Sequence, residues 1–300
     1  MRITRDLRSC TRNGLHVWKE MKTMGRAENV AVFEHTMDLC KTNPTLVETI
    51  RTSGRKQTVI LEADPLEPVT PRFDTPANIF VTRNRTYEAA EQYQGQKTCV
   101  LNFASATNPG GGVAWGSTAQ EECLCRCSTL YSNLTDRKLW RLFYEPHRAQ
   151  NNPLYNDDSI YTPEVMVFKT DTREPELLPN SDWWKVNVIT CAAPNLRPGR
   201  DGRIRVRISN DDLYQLHAKR MRRILDIAAM QHNDVVILGA YGCGAFQNPP
   251  DVVAKALKQV AFEYRYHFKT IEFAVYCSPR DDKNYWVFQQ IIGGNHGRTQ

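Results

Sequence analysis

The stretch Cys99–Tyr131 reads CVLNFASATNPGGGVAWGSTAQEECLCRCSTLY. Cys99–Phe103 is a short apolar run with β-branched content, the pattern of a buried strand. The loop after it carries Asn108-Pro109 and three consecutive glycines, Gly110, Gly111 and Gly112. Glycines leave bare backbone that reaches conformations closed to other residues and lets a ligand approach closely. Their exposed N–H groups also suit phosphate oxygens. After a spacer of seven come Gln120, Glu121 and Glu122, where a helix over 121–131 is predicted. A strand delivers a glycine loop, and the loop delivers two carboxylates to a helix N-terminus.

Each carboxylate has to be weighed against a plain structural role. Thr118-Ala119-Gln120-Glu121 fits a capping box, and Ser117 through Gln120 fits it one register earlier. On this motif alone, capping comes ahead of catalysis for Glu121. Glu122 caps in neither register. Neighbouring helix positions lie about 100° apart, so the pair is expected to do two jobs.

Around this stretch the chain alternates strands and helices. Helices are predicted over 26–42 and 45–51, a strand over 58–61, and then four prolines fall together at Pro65, Pro68, Pro71 and Pro76. That cluster marks an internal boundary. Residues 1–76 are expected to form a mainly helical extension packed on a main domain of residues 77–300. A strand over 79–82 and a helix over 86–93 precede the organising strand. A helix over 137–147 follows with an aromatic face of Trp140, Phe143 and Tyr144, then a polar excursion over 151–162. Strands are predicted over 165–168 and 186–191, and a loop over 194–202. A long amphipathic helix over 211–232 carries Lys219, Arg220, Arg222 and Arg223 on what reads as a solvated face. Val235–Leu238 is a buried strand leading to a second glycine loop, GAYGCGAFQNPP. Pro249-Pro250 opens a helix to Phe262. A strand over 271–276 and a helix over 285–292 close the chain. This alternation predicts an α/β fold with a largely parallel or mixed sheet covered on both faces.

Composition narrows the function classes. With 41% hydrophobic residues over 300 positions, the chain can bury a substantial core. No apolar run approaches a membrane span, and the Arg-rich start has no signal-peptide core. No membrane partner and a cytoplasmic location are expected. The net charge of +6 suits a polyanionic ligand. Nine cysteines without a secretory signal read as reduced thiols. Cys123, Cys125 and Cys127 alternate without a Cys-x-x-Cys or nearby His, so core packing is expected rather than a metal site. There is no nucleoside-triphosphatase P-loop, and the Gly-x-Gly lacks the third glycine of a dinucleotide fingerprint. In open α/β sheets ligands sit at the carboxyl ends of strands. Two glycine loops, each leading from a strand into a helix, are best explained by one shared diphosphate.

Three glycines, a spacer of seven and Gln-Glu-Glu resemble the signature of poly(ADP-ribose) glycohydrolases. The flanks NFASATNPGGG and AQEECLCRCSTLY are similar to the microbial-type branch. The resemblance covers about residues 79–292 and, more faintly, the extension from Arg26 onward. It implies a macrodomain-like three-layer α/β/α sandwich that binds ADP-ribose without a metal or other cofactor. In GAYGCGAFQNPP it implies a diphosphate loop of Gly242, Cys243, Gly244 and Ala245, with Phe246 presented to the distal ribose. In FAVYCSPRDDKNYWVF it implies that Tyr276 stacks on adenine, with Phe273 and Tyr285 as alternatives. Asn102, Ser105, Asn108, Gly110, Gly111, Gly112 and Gln120 are the matching ligand positions of the first motif. Two departures stand out. Ser105 follows Phe103-Ala104 where wider macrodomains carry an Asn. Thr82-Arg83-Asn84-Arg85 lacks the Asp that reads the adenine amino group in many of them.

The implied reaction is hydrolysis of the ribose–ribose O-glycosidic bond through an oxocarbenium-like state. Glu122 is the expected general acid and Glu121 the residue that places the sugar. Glu121, the diphosphate and desolvation should raise the Glu122 pKa, against the pull of the helix N-terminus. The substrate partner is then poly(ADP-ribose) or ADP-ribosylated protein. The alternatives are removal of single ADP-ribose units from protein or nucleic acid, a non-catalytic ADP-ribose-binding module and, last, a nucleic-acid binder driven by charge. No sequence-specific nucleic-acid reading is expected.

Overall fold

In the computed structural model, which describes residues 25–199, 201–278 and 281–294, the chain is built on one seven-stranded sheet. The Arg-rich start lies outside the described residues. Two helices come first, α1 (Arg26–Thr42) and α2 (Pro44–Lys56). Asn43 caps α2 by accepting from the Thr45 and Leu46 N–H groups, and Pro44 takes the position where no N–H is needed. Then follow β1 (Thr58–Ile60), β2 (Asn78–Thr82), α3 (Thr86–Glu91), β3 (Thr98–Phe103), α4 (Gln120–Cys127) and α5 (Leu130–Leu134). Arg137–Leu139, Trp140–Tyr144 and Glu145–Gln150 run on as one rod, α6, with a π turn in its middle. The remainder is β4 (Ser159–Val167), β5 (Trp184–Cys191), α7 (Asn210–Met230), β6 (Val235–Leu238), α8 (Pro250–Glu263), β7 (Thr270–Ala274) and α9 (Lys283–Ile291).

The strand order is β1-β4-β5-β3-β6-β7-β2. β4 runs antiparallel to both of its neighbours and every other pair is parallel, so the sheet is mixed. β3 lies at the centre, and its side chains alternate between two cores. Cys99 and Leu101 join Leu225, Leu257 and Phe273 on the α7–α8–α9 side. Val100 joins Leu124, Phe143 and Tyr144 on the other. A period of two sends successive residues to opposite faces, so a continuous apolar run is what a strand covered on both sides requires. The result is the expected three-layer α/β/α sandwich. Leu46 and Cys40 of the N-terminal helices pack with Met166 and Phe168. Buried Lys169 donates to the Val32 carbonyl and the Thr36 hydroxyl of α1 at 2.9 and 2.7 Å. β1 extends the sheet at β4.

Several elements depart from the sequence reading. The helix predicted over 121–131 breaks at Ser128, which turns extended and bridges Val167. α2 runs through Gly54, because the Ser53 hydroxyl is drawn inward to the Pro163 carbonyl. The excursion over 151–162 ends in β4, where Ser159–Thr162 pair with β5. A bulge between Thr162 and Val165 absorbs Pro163, with Glu164 at φ 56°. The last strand stops at Ala274. Arg220 overturns the reading of the outer face of α7 as solvated. It is wholly buried, bonded to Asp157 at 2.7 Å and to the Ala192 carbonyl at 2.7 Å. A charge is tolerated inside when it is paired and hydrogen-bonded. No helix among the described residues is long and apolar enough to cross a membrane.

Candidate active site

β3 ends at Phe103, and Gln120 fastens the incoming helix to that end. Its Nε2 donates to the Leu101 carbonyl at 2.7 Å and its Oε1 accepts from the Phe103 N–H at 2.8 Å. This clamp fixes the first turn of α4 against the carboxyl end of the central strand. The N-cap residue of α4 is Ala119, which offers no side-chain cap. The capping-box reading of Glu121 is therefore corrected, and its carboxylate turns inward instead. One oxygen accepts from the Ser105 N–H at 2.7 Å and the other from the Asn102 side chain at 3.2 Å. Glu122 accepts from the Gly112 N–H at 2.9 Å through Oε1, while its buried Oε2 has no partner.

The glutamates are 3% and 7% exposed, so both carboxylates have left water. Burial pushes the Glu121 carboxyl up to about 8, and the neighbouring Glu122 charge acts in the same direction. The Ser105 N–H and the Asn102 amide oppose that rise. Gly111 explains why a glycine stands opposite the pair. Its φ is +58°, and a Cβ there would come within 2.6 Å of Glu122 Oε1 and 3.2 Å of Glu121 Oε2. The second loop is set in the same way. Gly242 has φ +78°, and a Cβ would lie 2.6 Å from Asn248 Nδ2. Asn248 pins this loop by donating to the Gly242 and Pro194 carbonyls at 3.0 and 2.7 Å. His217 bonds the Asn248 amide oxygen, and burial lowers its pKa to about 4.

The two loops and the α4 N-terminus line one cleft of about 720 Å³. Of the residues named from sequence, Glu121, Glu122, Ser105, Gly111, Gln120, Gly242, Gly244, Ala245, Phe246 and Tyr276 all reach it. Asn102, Asn108, Gly110, Gly112 and Cys243 stand behind it. Asn102 is fully buried and holds Glu121. The Asn108 side-chain oxygen accepts from Arg148. Gly110 and Gly112 frame Gly111, and Cys243 packs toward the α7–α8 core. Tyr276 is 44% exposed beneath the Arg85 guanidinium, which lies 4.0 Å from the ring centre. Phe273 is buried against Phe288, so it is not available to stack on a ligand.

The fold also brings in residues that the motifs do not flag. Arg26 and Asn29 reach the cleft from α1, and Arg85 and Thr86 from the start of α3. Asp171 arrives from the segment after β4. It is 6% exposed and accepts the Tyr87 N–H through Oδ2, while Oδ1 accepts no hydrogen bond and lies 3.8 Å from Arg85 Nη1. Burial raises its pKa. Cys123 also lines the cleft, whereas Cys125 and Cys127 are core residues. Among the described residues no cluster of His, Cys, Asp and Glu is placed to hold a metal ion.

A mixed three-layer sheet carrying two glycine loops and a buried glutamate pair at its carboxyl edge defines a macrodomain-like glycosidase. The chain belongs to the microbial-type poly(ADP-ribose) glycohydrolase family: the family model described as "Microbial-type PARG, catalytic domain" matches residues 19–170. Solved structures agree. The poly(ADP-ribose) glycohydrolase from Thermomonospora curvata is similar at 27% identity and TM-score 0.78, over 89% of this chain and 100% of that one. The same enzyme bound to the inhibitor ADP-HPD matches at 27% identity and TM-score 0.74, over 88% and 99%. The Deinococcus radiodurans enzyme in complex with ADP-ribose matches at 30% identity and TM-score 0.66, over 80% and 95%. No curated protein matches the chain.

Proposed function

We propose that the cleft holds ADP-ribose with its diphosphate between the glycine loops, its distal ribose at Glu121 and Glu122, and its adenine beside Tyr276. The activity is that of the family, hydrolysis of ribose–ribose O-glycosidic bonds in poly(ADP-ribose). In our reading Glu122 protonates the departing ribose hydroxyl as the bond breaks, and then takes a proton from the attacking water. One observation carries this assignment. Both oxygens of Glu121 are engaged, by Asn102 and Ser105, while Oε2 of Glu122 has no partner. The engaged carboxyl is suited to orienting sugar hydroxyls and the unengaged one to exchanging a proton. Two buried carboxylates side by side cannot both ionise cheaply. Burial is the first cause of the upward shift at Glu121, and the neighbouring Glu122 charge acts in the same direction. The diphosphate adds negative charge that favours the oxocarbenium-like state.

Adenine recognition falls, on this reading, to Asp171, whose Oδ1 accepts no hydrogen bond and, with Arg85 3.8 Å away, is suited to accept from an exocyclic amino group. Residues 1–76 serve as an extension of the catalytic domain 77–300, with α1 supplying Arg26 and Asn29 to the cleft wall. The cysteines of the described residues are all free thiols, in keeping with a cytoplasmic location.

The test is release of free ADP-ribose from the polymer by wild type and by Glu122→Gln. General acid catalysis contributes about 10²–10⁴-fold, so the variant should lose at least the lower figure while calorimetric affinity for ADP-ribose stays within a few-fold. Near-wild-type turnover in the variant would remove Glu122 as the acid. A wild-type protein that frees single units from modified protein but leaves polymer intact would favour the mono-ADP-ribosyl hydrolase reading.

A further inference from the structure

Residues 105–112 form a loop whose ends grip the two carboxylates. At one end the Ser105 N–H donates to Glu121 at 2.7 Å, and at the other the Gly112 N–H donates to Glu122 at 2.9 Å. Between them the loop is folded on itself. The Ser105 hydroxyl accepts from the Asn108 N–H at 3.1 Å, and the Gly111 N–H donates to the Asn108 carbonyl at 3.0 Å. The apex at Thr107 and Asn108 therefore sets how the two ends lie relative to each other. That apex is held from outside by Arg148 of α6. Its Nε donates to the Thr107 carbonyl at 2.9 Å and its Nη2 to the Asn108 side-chain oxygen at 2.8 Å. A guanidinium presents its donors in a rigid planar fork, so both acceptors are held in one orientation.

The helix is shaped for this contact. Trp140 and Arg148 stand eight residues apart, which in a regular α-helix overshoots two full turns by about 80°. The π turn Trp140–Tyr144 is wider and takes up part of that overshoot. The Arg148 guanidinium accordingly lies 4.9 Å from the centre of the Trp140 ring, and Trp140 stacks on the buried Tyr144. The brace thus rests on the core, although Arg148 itself is exposed. An exposed arginine held by a carbonyl, an amide and a ring, with no carboxylate among these partners, is placed for bracing rather than for solubility.

We infer that Arg148 is a positioning residue for the reaction: acting through Thr107 and Asn108, it holds the 105–112 loop in the form that sets Glu121 and Glu122 against the sugar. The inference rests on the roles given to the two glutamates above. Arg148 is not part of the cleft wall, so its effect falls on the rate and not on the grip of the second glycine loop and Tyr276 on the ligand.

The experiment measures polymer turnover, ADP-ribose affinity and thermal midpoint in wild type, Arg148→Met and Arg148→Lys. Misplacing a group by about 1 Å can cost about 10²-fold in rate, so kcat of Arg148→Met should fall about tenfold or more. Calorimetric affinity for ADP-ribose should stay within a few-fold, and the midpoint should stay near that of wild type, as for other surface substitutions. Arg148→Lys should recover only part of the rate, because an ammonium does not span both acceptors. Guanidinium ion added to Arg148→Ala, far below denaturing concentrations, should raise kcat where sodium at the same ionic strength does not. A wild-type kcat in Arg148→Met overturns the inference. So does a parallel loss of kcat and ADP-ribose affinity, or a fall in midpoint large enough to account for the lost rate, since either makes Arg148 an ordinary structural contact. Rescue by sodium as good as that by guanidinium would reduce Arg148 to a bare charge and also overturns it. Wild-type turnover in Glu122→Gln would instead sink the reading of the glutamate pair.

Discussion

Asp171 and Glu121 illustrate opposite fates of a buried carboxylate. Glu121 is satisfied by Ser105 and Asn102, whereas Asp171 Oδ1 accepts no hydrogen bond and has only the Arg85 guanidinium 3.8 Å away. A buried acceptor left without a donor costs about 1–3 kcal/mol, so a ligand that supplies the donor gains in that range. ADP-ribose, with its exocyclic amino group, should bind about 5–150-fold more tightly than the inosine analogue, which presents a carbonyl at that place. Calorimetry with the two ligands checks this without a substitution that could disturb the Tyr87 N–H contact. Equal affinities would move adenine recognition away from Asp171. The two glutamates were legible in the sequence because their spacing from three glycines is unusual. Asp171 was not, because it lies far along the chain in a segment with no motif, and only the pairing of β4 into the sheet brings it to Arg85. The capping-box reading of Glu121 failed for a related reason. A local pattern describes what a side chain can reach in its own helix, and here the Gln120 clamp on β3 turns Glu121 toward Ser105 instead.

The strand–loop–helix units were the most legible elements. β6 is an unbroken apolar run leading directly into Gly239, and β3 is a mainly apolar run interrupted by Asn102 that reaches Gly110 after six residues, so both the strands and the edge they share could be read in advance. Element ends were harder to place. Ser128 breaks the helix after Cys127 because bonding to the Val167 segment competes with the next helical turn, a competitor distant in sequence. The two loops use glycine for different reasons, which gives a test. Gly244 does not have a positive φ, and a Cβ there meets nothing within 4 Å, yet the residue lines the cleft. Gly111 has φ +58° and faces both carboxylates. Gly244→Val should therefore keep wild-type thermal stability and lose ADP-ribose binding by steric blockage of the diphosphate loop. Gly111→Val should lose binding and, in addition, about 1–2 kcal/mol of stability for a left-handed non-glycine residue. Full ligand affinity in Gly244→Val would place the diphosphate elsewhere.

Across the whole molecule, Arg220 is the feature that periodicity hid. Lys219, Arg220, Arg222 and Arg223 follow one another closely, and a charge run on a helix ordinarily faces water. Here α7 packs so that Arg220 points beneath the segment leading into β4. It bonds Asp157, the Ala192 carbonyl at the end of β5, and the Leu154 carbonyl at 3.2 Å. One side chain thus ties α7, β5 and the approach to β4 together, and Tyr155 of that approach lies 6.2 Å from the Phe246 ring, centre to centre. Breaking a buried pair by removing one partner costs about 3–5 kcal/mol, because the other charge remains buried alone. Total stabilities run only to about 5–15 kcal/mol. Asp157→Ala should therefore lower the urea midpoint severely. Added salt should not mimic the loss, since buried pairs are screened far less than exposed ones. Glu48→Ala, which removes the exposed Arg51 partner on α2, should change stability by no more than about 1 kcal/mol. Replacing both charges, as Arg220→Met with Asp157→Leu, should recover much of the lost stability, because no unpaired charge is left inside. If Asp157→Ala were as stable as Glu48→Ala, the pair would not hold these elements together. If the double variant were stable but slow on polymer with unchanged ADP-ribose affinity, the pair would matter chiefly for placing Tyr155 against Phe246.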